Sequence, residues 1–504
     1  MKRISSIILL ALAAGSLNAH VGSPDVYLEG NAGPYKLFIA IRPPAAIPGV
    51  AEVEVRSSAA DINAVKAAPL PMTGPGAKYA PTADVLHRSP QDAQFYTGSL
   101  WLMSSGAWQV RFTVEGARGK GVLSVPVPAV AQRTKDMRFG LGAVLLALMT
   151  FLVFGLVAIV GASVREAQLE PGIEPTDVRK RRARFVMLGA FVFVAGVVWL
   201  GNLWWKSEAT AYGDYIYKPL RMQATLHGSN NLTLTLTDPG WLKSRHIDDF
   251  VPDHNHLMHL YAIRQPGLDV VYHLHPDFVE PGVFRLVLPS MPAGEYHLYA
   301  DVVHKNGFPE TPVATIRLPE IQGSPLVGDN SSGSASPVTT SSPLGTSFTL
   351  PDGYRMTWVG DNHGLVARRP YSFRFQLLNP EGKAPADMAF YMGMLGHAAF
   401  LKTDGSVFAH IHPIGSVSMA AFMIAQEQNA NAPSSQPIKS EAPASAMDDM
   451  PGMDHSIHHM PAVSNLPNEV SFPYGFPTPG RYRIFVQMKH GDTVETGVFD
   501  ADVK

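Results

Sequence analysis

Histidine is the residue that recurs in pattern along this chain. One stretch, His254 to Pro276, reads HNHLMHLYAIRQPGLDVVYHLHP, and a second, Met392 to Pro413, reads MGMLGHAAFLKTDGSVFAHIHP. Aligned on their ends, His259 falls on His397, Asp269 on Asp404, and His273 and His275 on His410 and His412. Downstream, Gly294-Glu295-Tyr296 with His304 corresponds to Gly480-Arg481-Tyr482 with His490, Tyr and His being eight apart in both. Imidazole is a ligand for Cu, Zn and Ni. A strand alternates its faces at every residue, so the two rings of His-x-His project from one side, close enough to share an ion. The spacing predicts one metal site in each repeat: His259, His273, His275 and His304 in the first, His397, His410, His412 and His490 in the second. The competing reading makes them half-exposed strand residues with no ligand role.

Two more features bear on the metal. His254 and His256 of the first stretch align with Met392 and Met394 of the second. If both pairs face an ion, the first repeat prefers Cu(II) or Zn and the second Cu(I), because thioether is a soft ligand; as packing residues the methionines would carry no such signal. Further on, Met447, Met450, Met453, His455, His458, His459 and Met460 crowd into 14 residues with no strand pattern around them. Copper is the expected ion and zinc its main competitor.

The elements that must position these residues are β-strands. The chain has 504 residues, is 46% hydrophobic and carries a net charge of −2, which allows several domains and offers no basic excess for nucleic acid. It has no cysteine, so neither disulfides nor thiolate ligands enter, and soft ligation falls to its 20 methionines. Short alternating runs between Pro and Gly turns predict a mainly β protein of three immunoglobulin-like β-sandwich domains plus two transmembrane helices. The sandwiches are expected at 20–130, 210–320 and 348–504, with a Ser/Gly/Thr/Pro-rich flexible linker over 324–347 and a Met/His-rich insertion over 426–466.

In the first of these, the clearest hairpin joins Trp108–Val114 to Val122–Val127. Upstream, Lys2-Arg3, the apolar run Ile7 to Ala14 and Leu17-Asn18-Ala19 have the form of a secretory signal over 1–19, whose removal leaves His20 first. Through His20, the sandwich pattern and the Gly-x-Trp-x-Val hairpin beginning at Gly106, this domain resembles the periplasmic CopC-like and YtkA-like β-sandwich proteins. The resemblance implies copper handling, with His20 binding copper through its amine and ring. His87 and Asp25 are candidate companions of His20 that match no motif of that family, and the Met/His tract is similar to the metal-collecting segments of copper-resistance proteins.

Residues 139–162 contain no charged side chain, and 185–205 end in Trp199, Trp204 and Trp205; both are long enough to cross a bilayer. Between them, 163–184 carries Arg179-Lys180-Arg181-Arg182, which the positive-inside rule places in the cytoplasm, giving two spans of a bacterial-type inner membrane with large periplasmic domains before and after this short loop. The expected function is copper binding for resistance, storage or delivery, with a periplasmic or membrane cuproenzyme or a metal exporter as partner. A copper-dependent oxidoreductase and a structural envelope protein remain as alternatives. His254-x-His256-x-x-His259 approaches a metallo-β-lactamase-like motif, but Met258 holds its Asp position and the alternating strand and helix pattern is missing. No nucleophile elbow or phosphate-binding glycine loop appears.

Overall fold

The computed structural model describes residues 25–504 apart from 136, 340–343, 361 and 431–465. The expected signal over 1–19, His20 and the Met447–Met460 tract lie outside the described residues. The chain divides into two compact units, one of Lys218–Lys504 together with the chain up to Ala129, the other of Val130–Tyr217.

The larger unit is built from paired sheets, as the alternation predicts. In its N-terminal part, one sheet orders Val26–Ala32, Tyr35–Arg42, Gly49–Ser57, Phe95–Leu102 and His87–Arg88, and the other orders Asp84–Val85, Ile62–Pro71, Gly106–Gly116 and Gly119–Ala129. The expected hairpin is present, with Trp108 opposite Val127.

The two repeats share one topology. In the first, Gly294–His304, His259–Gln265 and Val270–Leu274 are adjacent in that order, with Phe250–Val251 and Val313–Leu318 also pairing with Gly294–His304. In the second, Gly480–His490, His397–Lys402 and Phe408–Ile411 repeat the order, with Met388–Ala389 and Thr493–Val503 in the flanking places. A four-stranded sheet backs each: Arg221–His227, Asn231–Thr237, Val283–Val287 and Asp277–Glu280 in the first, Ser347–Thr349, Arg355–Val359, Tyr371–Leu378 and Glu469–Tyr474 in the second.

The histidine-bearing sheets are buried on both faces. In the first repeat Leu260, Ala262, Tyr272 and Leu274 point into that repeat's own core. The alternate residues Tyr261, Ile263, Val271 and Tyr299 pack with Ala399, Leu401, Phe408, Phe485 and Val498 of the second repeat. The period of two then puts His259 and His273, with His397 and His410, on this inter-repeat face. The expectation of half-exposed strand residues is therefore corrected: His273 and His397 are fully buried, because the face that would meet water meets the other repeat instead.

Three boundaries differ from expectation. Within 324–347, Ser331–Ser334 is a strand pairing with Val270–His273, so this part is no free tether. It supplies donors and acceptors to what would be a sheet edge, and Gly333 is needed there, since a Cβ would lie 2.6 Å from Thr496 Cγ2. The insertion expected from 426 begins instead inside helix α3, Met419–Ala430. Its polar residues dock on the N-terminal part: Gln426 Nε2 donates to Ser124 O at 2.7 Å, and Arg111 Nε donates to Asn429 Oδ1 at 2.6 Å. In the smaller unit, helices α1 (Phe139–Glu166) and α2 (Asp177–Asp214) overrun the apolar spans, because helical hydrogen bonding continues past the hydrophobic stretch. The Arg179–Arg182 cluster consequently sits on the start of α2 rather than in a loop. At 28 and 38 residues, with mean hydropathy 2.9 and 2.1 over an 18-residue stretch of each, both helices are long and apolar enough to cross a membrane.

Candidate metal centre

Where the two repeats meet, imidazoles from both gather in one place. His259, His273 and His275 bring ligand atoms within 4.8 Å of one another, and so do His254, His397 and His412. His410 joins them, its Nε2 3.2 Å from His397 Nδ1. The groups adjoin: the His259 and His410 rings are 5.4 Å apart and those of His273 and His410 5.5 Å. The expectation of one site from each repeat's own histidines matches the grouping of His259, His273 and His275, whereas the other group draws on both repeats. His254 belongs to the first repeat in sequence, yet its ring lies 4.9 Å from His397 and 5.0 Å from His412.

The hydrogen bonds on the outer side of each ring fix which nitrogen keeps its lone pair. His259 Nε2 donates to Asp253 O at 3.0 Å, and His397 Nε2 donates to Tyr391 O at 3.2 Å, each acceptor six residues upstream. Both carbonyls belong to matching turns, bridged Asp253 to His256 and Tyr391 to Met394, in which His254 (φ 49°) and Met392 (φ 51°) hold left-handed conformations. Each of these residues costs on the order of 1–3 kcal/mol in that region, a cost that clusters at functional sites. Gln487 Nε2 donates to Ser331 Oγ at 2.5 Å, which leaves Oε1 to accept from His273 Nδ1 at 3.0 Å. His410 Nδ1 donates to Asp301 Oδ2 at 3.1 Å, His275 Nδ1 to Asn330 Oδ1 at 3.1 Å and His412 Nδ1 to Val417 O at 3.0 Å.

These bonds leave an unprotonated nitrogen on every ring, turned inward. His259 Nδ1 faces His273 Nε2 at 3.1 Å, and His397 Nδ1 faces His410 Nε2 at 3.2 Å. Nε2 of His254, His275 and His412 is buried with no hydrogen-bond partner. Burial, reinforced by the neighbouring rings, holds His273, His397 and His410 well below the usual imidazole range. Burial likewise brings His254 and His259 down to about 4, although Asp253 pulls both upward. Neutral imidazoles anchored through one nitrogen, with the other presented to a dry space, are the protonation state and outer support that a metal ion requires. Two nitrogens bound to one tetrahedral ion at about 2.0–2.1 Å stand about 3.3 Å apart.

The supports cross between repeats. Asp301 is the strand partner of His259 but holds His410, while Gln487 is the strand partner of His397 but holds His273. Burial pushes the Asp301 carboxyl up to about 7. His256 stacks on His275 with ring centres 3.8 Å apart and donates through Nε2 to Asp329 Oδ2 at 3.1 Å. Met392 contributes backbone to the His254 ring, and Met394 is buried. The expected split of Cu(II)-type and Cu(I)-type ligands by repeat is not the arrangement seen, because His254 crosses to the second repeat's set.

His304 and His490 do not reach the centre. His304 Nδ1 donates to Asp249 Oδ1 at 2.6 Å and Nε2 to Glu310 Oε2 at 2.9 Å. His490 lies between Asp387 Oδ2 at 3.3 Å and Glu495 Oε1 at 3.4 Å, with Asp352 Oδ2 at 3.7 Å. The recurring offset thus marks a His held between two carboxylates in each repeat. Sequence reasoning missed Asp253, Asp301, Asn330, Tyr391 and Gln487. Asp253 and Tyr391 hold His259 and His397 through backbone carbonyls, a role that side-chain type does not reveal, although the Tyr391 hydroxyl also lies 3.2 Å from His273 Nδ1. Asp301 and Gln487, by contrast, were findable only by counting strand register from His304 and His490.

A family model described as a domain of unknown function (DUF8832) matches residues 450–504. No curated protein matches the sequence. Among solved structures, trypsin-activated alpha-2-macroglobulin from Escherichia coli is 9% identical with TM-score 0.17, over 94% of this chain and 24% of that one. The chain thus spans about a quarter of the length of that protein. A protein of Corynebacterium diphtheriae described as membrane anchored is 10% identical with TM-score 0.15, over 95% of both chains. The functional reading rests on the histidines and not on these likenesses.

Proposed function

We propose that the chain is a membrane-anchored periplasmic metal-binding protein whose ion is copper, serving resistance, storage or delivery to a cuproenzyme. The observation that carries this reading is the inward set of unprotonated nitrogens, above all the buried, unpartnered Nε2 atoms of His254, His275 and His412. An imidazole in a dry core ordinarily satisfies both nitrogens. Leaving three unsatisfied is a cost that an ion offsets. An all-imidazole donor set suits copper, zinc or nickel, and the chain's cysteine count of zero excludes thiolate sites. The Met/His tract adds thioethers, which favour copper over zinc. Helices α1 and α2 supply the anchor, and the Arg/Lys cluster at the start of α2 supports a cytoplasmic connection with the β-domains in the periplasm. A metal exporter or a cuproenzyme of the same membrane is the fitting partner.

Metal analysis of the full chain in detergent, after loading with copper or zinc and removal of loose ions, tests the reading. Copper should be retained in preference to zinc, and His273→Ala with His275→Ala should lower the copper retained. Unchanged copper content and affinity in that variant, or preferential zinc retention, would overturn it. Reporter fusions within 167–176 and after Lys504 test the orientation, which fails if the former report from outside.

A further inference from the structure

Building on the copper reading, we infer that the centre is dinuclear and latches the two repeats together. One ion takes His259 Nδ1, His273 Nε2 and His275 Nε2. The other takes His397 Nδ1, His410 Nε2 and His412 Nε2, completed by His254 Nε2 from the first repeat.

Three observations carry this beyond a single ion. The first is the number of donors. Seven inward nitrogens exceed what one transition-metal ion takes from imidazoles, where four-coordinate sites prevail, and they divide into sets of the same make. Each set holds one facing pair, at 3.1 Å and at 3.2 Å, plus a histidine two residues beyond the second member whose Nε2 has no partner. The second is adjacency: the sets share one buried face with 5.4 Å between the His259 and His410 rings, so ions in both would be near neighbours. The third is crossing. Gln487 of the second repeat orients His273 of the first, Asp301 of the first orients His410 of the second, and His254 reaches over bodily. The second set lacks a ligand within its own repeat and the first lacks the Gln487 that orients His273, so filling both favours the docked repeats and, reciprocally, holds them docked.

The test uses the full chain in detergent, loaded with Cu(II) under air. Copper is counted twice, by elemental analysis and by electron paramagnetic resonance as isolated Cu(II). Two neighbouring Cu(II) ions couple, so the spin count should fall short of the elemental count by two per chain. His259→Ala with His273→Ala should remove one equivalent and abolish the shortfall, because the remaining ion has no neighbour. His397→Ala with His410→Ala should do the same, and His254→Ala alone should weaken only the second ion. Circular dichroism of each variant in chelator checks that it folds, and His254→Gln repeats the test with less loss of packing. Equal counts in the wild type, or one pair of substitutions removing all the copper that the four together remove, would overturn the dinuclear centre while leaving copper binding intact. If the fourfold variant retains as much copper as the wild type, the copper reading of these histidines fails instead.

Discussion

His259 Nδ1 and His273 Nε2 stand 3.1 Å apart, and each is the nitrogen left without a proton by the bond its ring makes on the far side, to Asp253 O and to Gln487 Oε1. Two lone pairs aimed at each other in a dry core repel, and a cation between them turns the repulsion into two bonds. The metal-free fold carries this repulsion, and burial of the neutral rings has to outweigh it.

Replacing His273 and His275 by alanine should therefore have two separable effects. In chelator it should lower stability by about 2–5 kcal/mol, because His273 is fully buried and its loss leaves a cavity and takes the His273 partner from Gln487 Oε1. In copper the gap from wild type should widen, since only the wild type gains binding energy. Chemical denaturation with and without copper reads both; equal gaps in the two conditions would show the pair to be packing residues only.

Asn330 accepts from both the backbone N–H and Nδ1 of His275, at 3.0 and 3.1 Å. Asn330→Ala should weaken copper binding about 10- to 100-fold, the usual cost of losing a residue that orients a ligand. Thermal stability should change little in comparison. A competition titration against a chelator of known affinity measures the first and a melting curve the second.

His304 gives a pH dependence of definite sign. Burial opposes its positive charge, but hydrogen bonds to Glu310 and Asp249 more than compensate, so its pKa is raised. Protonated His304 thus contributes stability that is full below the unfolded value of about 6.5 and is lost as pH rises through the folded value. The rings of the centre, kept neutral by burial, impose the opposite slope, so the effect is read as a difference between wild type and His304→Gln. That difference should be largest at pH 6, about 3 kcal/mol, and shrink by pH 9. A difference that grows with pH would mean that His304 is neutral in the fold.

The strands and the His-x-His pairs were legible because a period of two and a tandem repeat are both written in residue types. The shared centre was not, because Tyr261 and Phe408 look the same in sequence whether they face their own core or the other repeat. Asn330 and Ser331 were hidden for a different reason: a Ser/Gly-rich segment has the composition of a tether, and its strand exists only because Val270–Leu274 offers an open edge. His304 and His490 misled because recurrence reports a shared constraint, and the constraint on them is a pair of carboxylates.

The N-terminal part is coupled to the centre through Gly415. This residue lies at φ +130°, and a Cβ on it would stand 2.0 Å from Tyr27 O, so the strand Val26–Ala32 approaches only because no side chain intervenes. Around it Glu29 N donates to Ile414 O at 2.8 Å, and Tyr27 N to Ser416 Oγ at 3.0 Å. The same turn bridges His412 to Gly415 and places Val417 O on His412 Nδ1. Gly415→Val is consequently expected to separate the N-terminal part from the second repeat and to release the bond that fixes the His412 ring. The strain at positive φ and the backbone clash together should cost at least about 2–3 kcal/mol. Limited proteolysis should show faster cleavage near residues 25–30, and copper affinity should fall with it. Retention of full affinity together with faster cleavage would show that His412 is held without this docking.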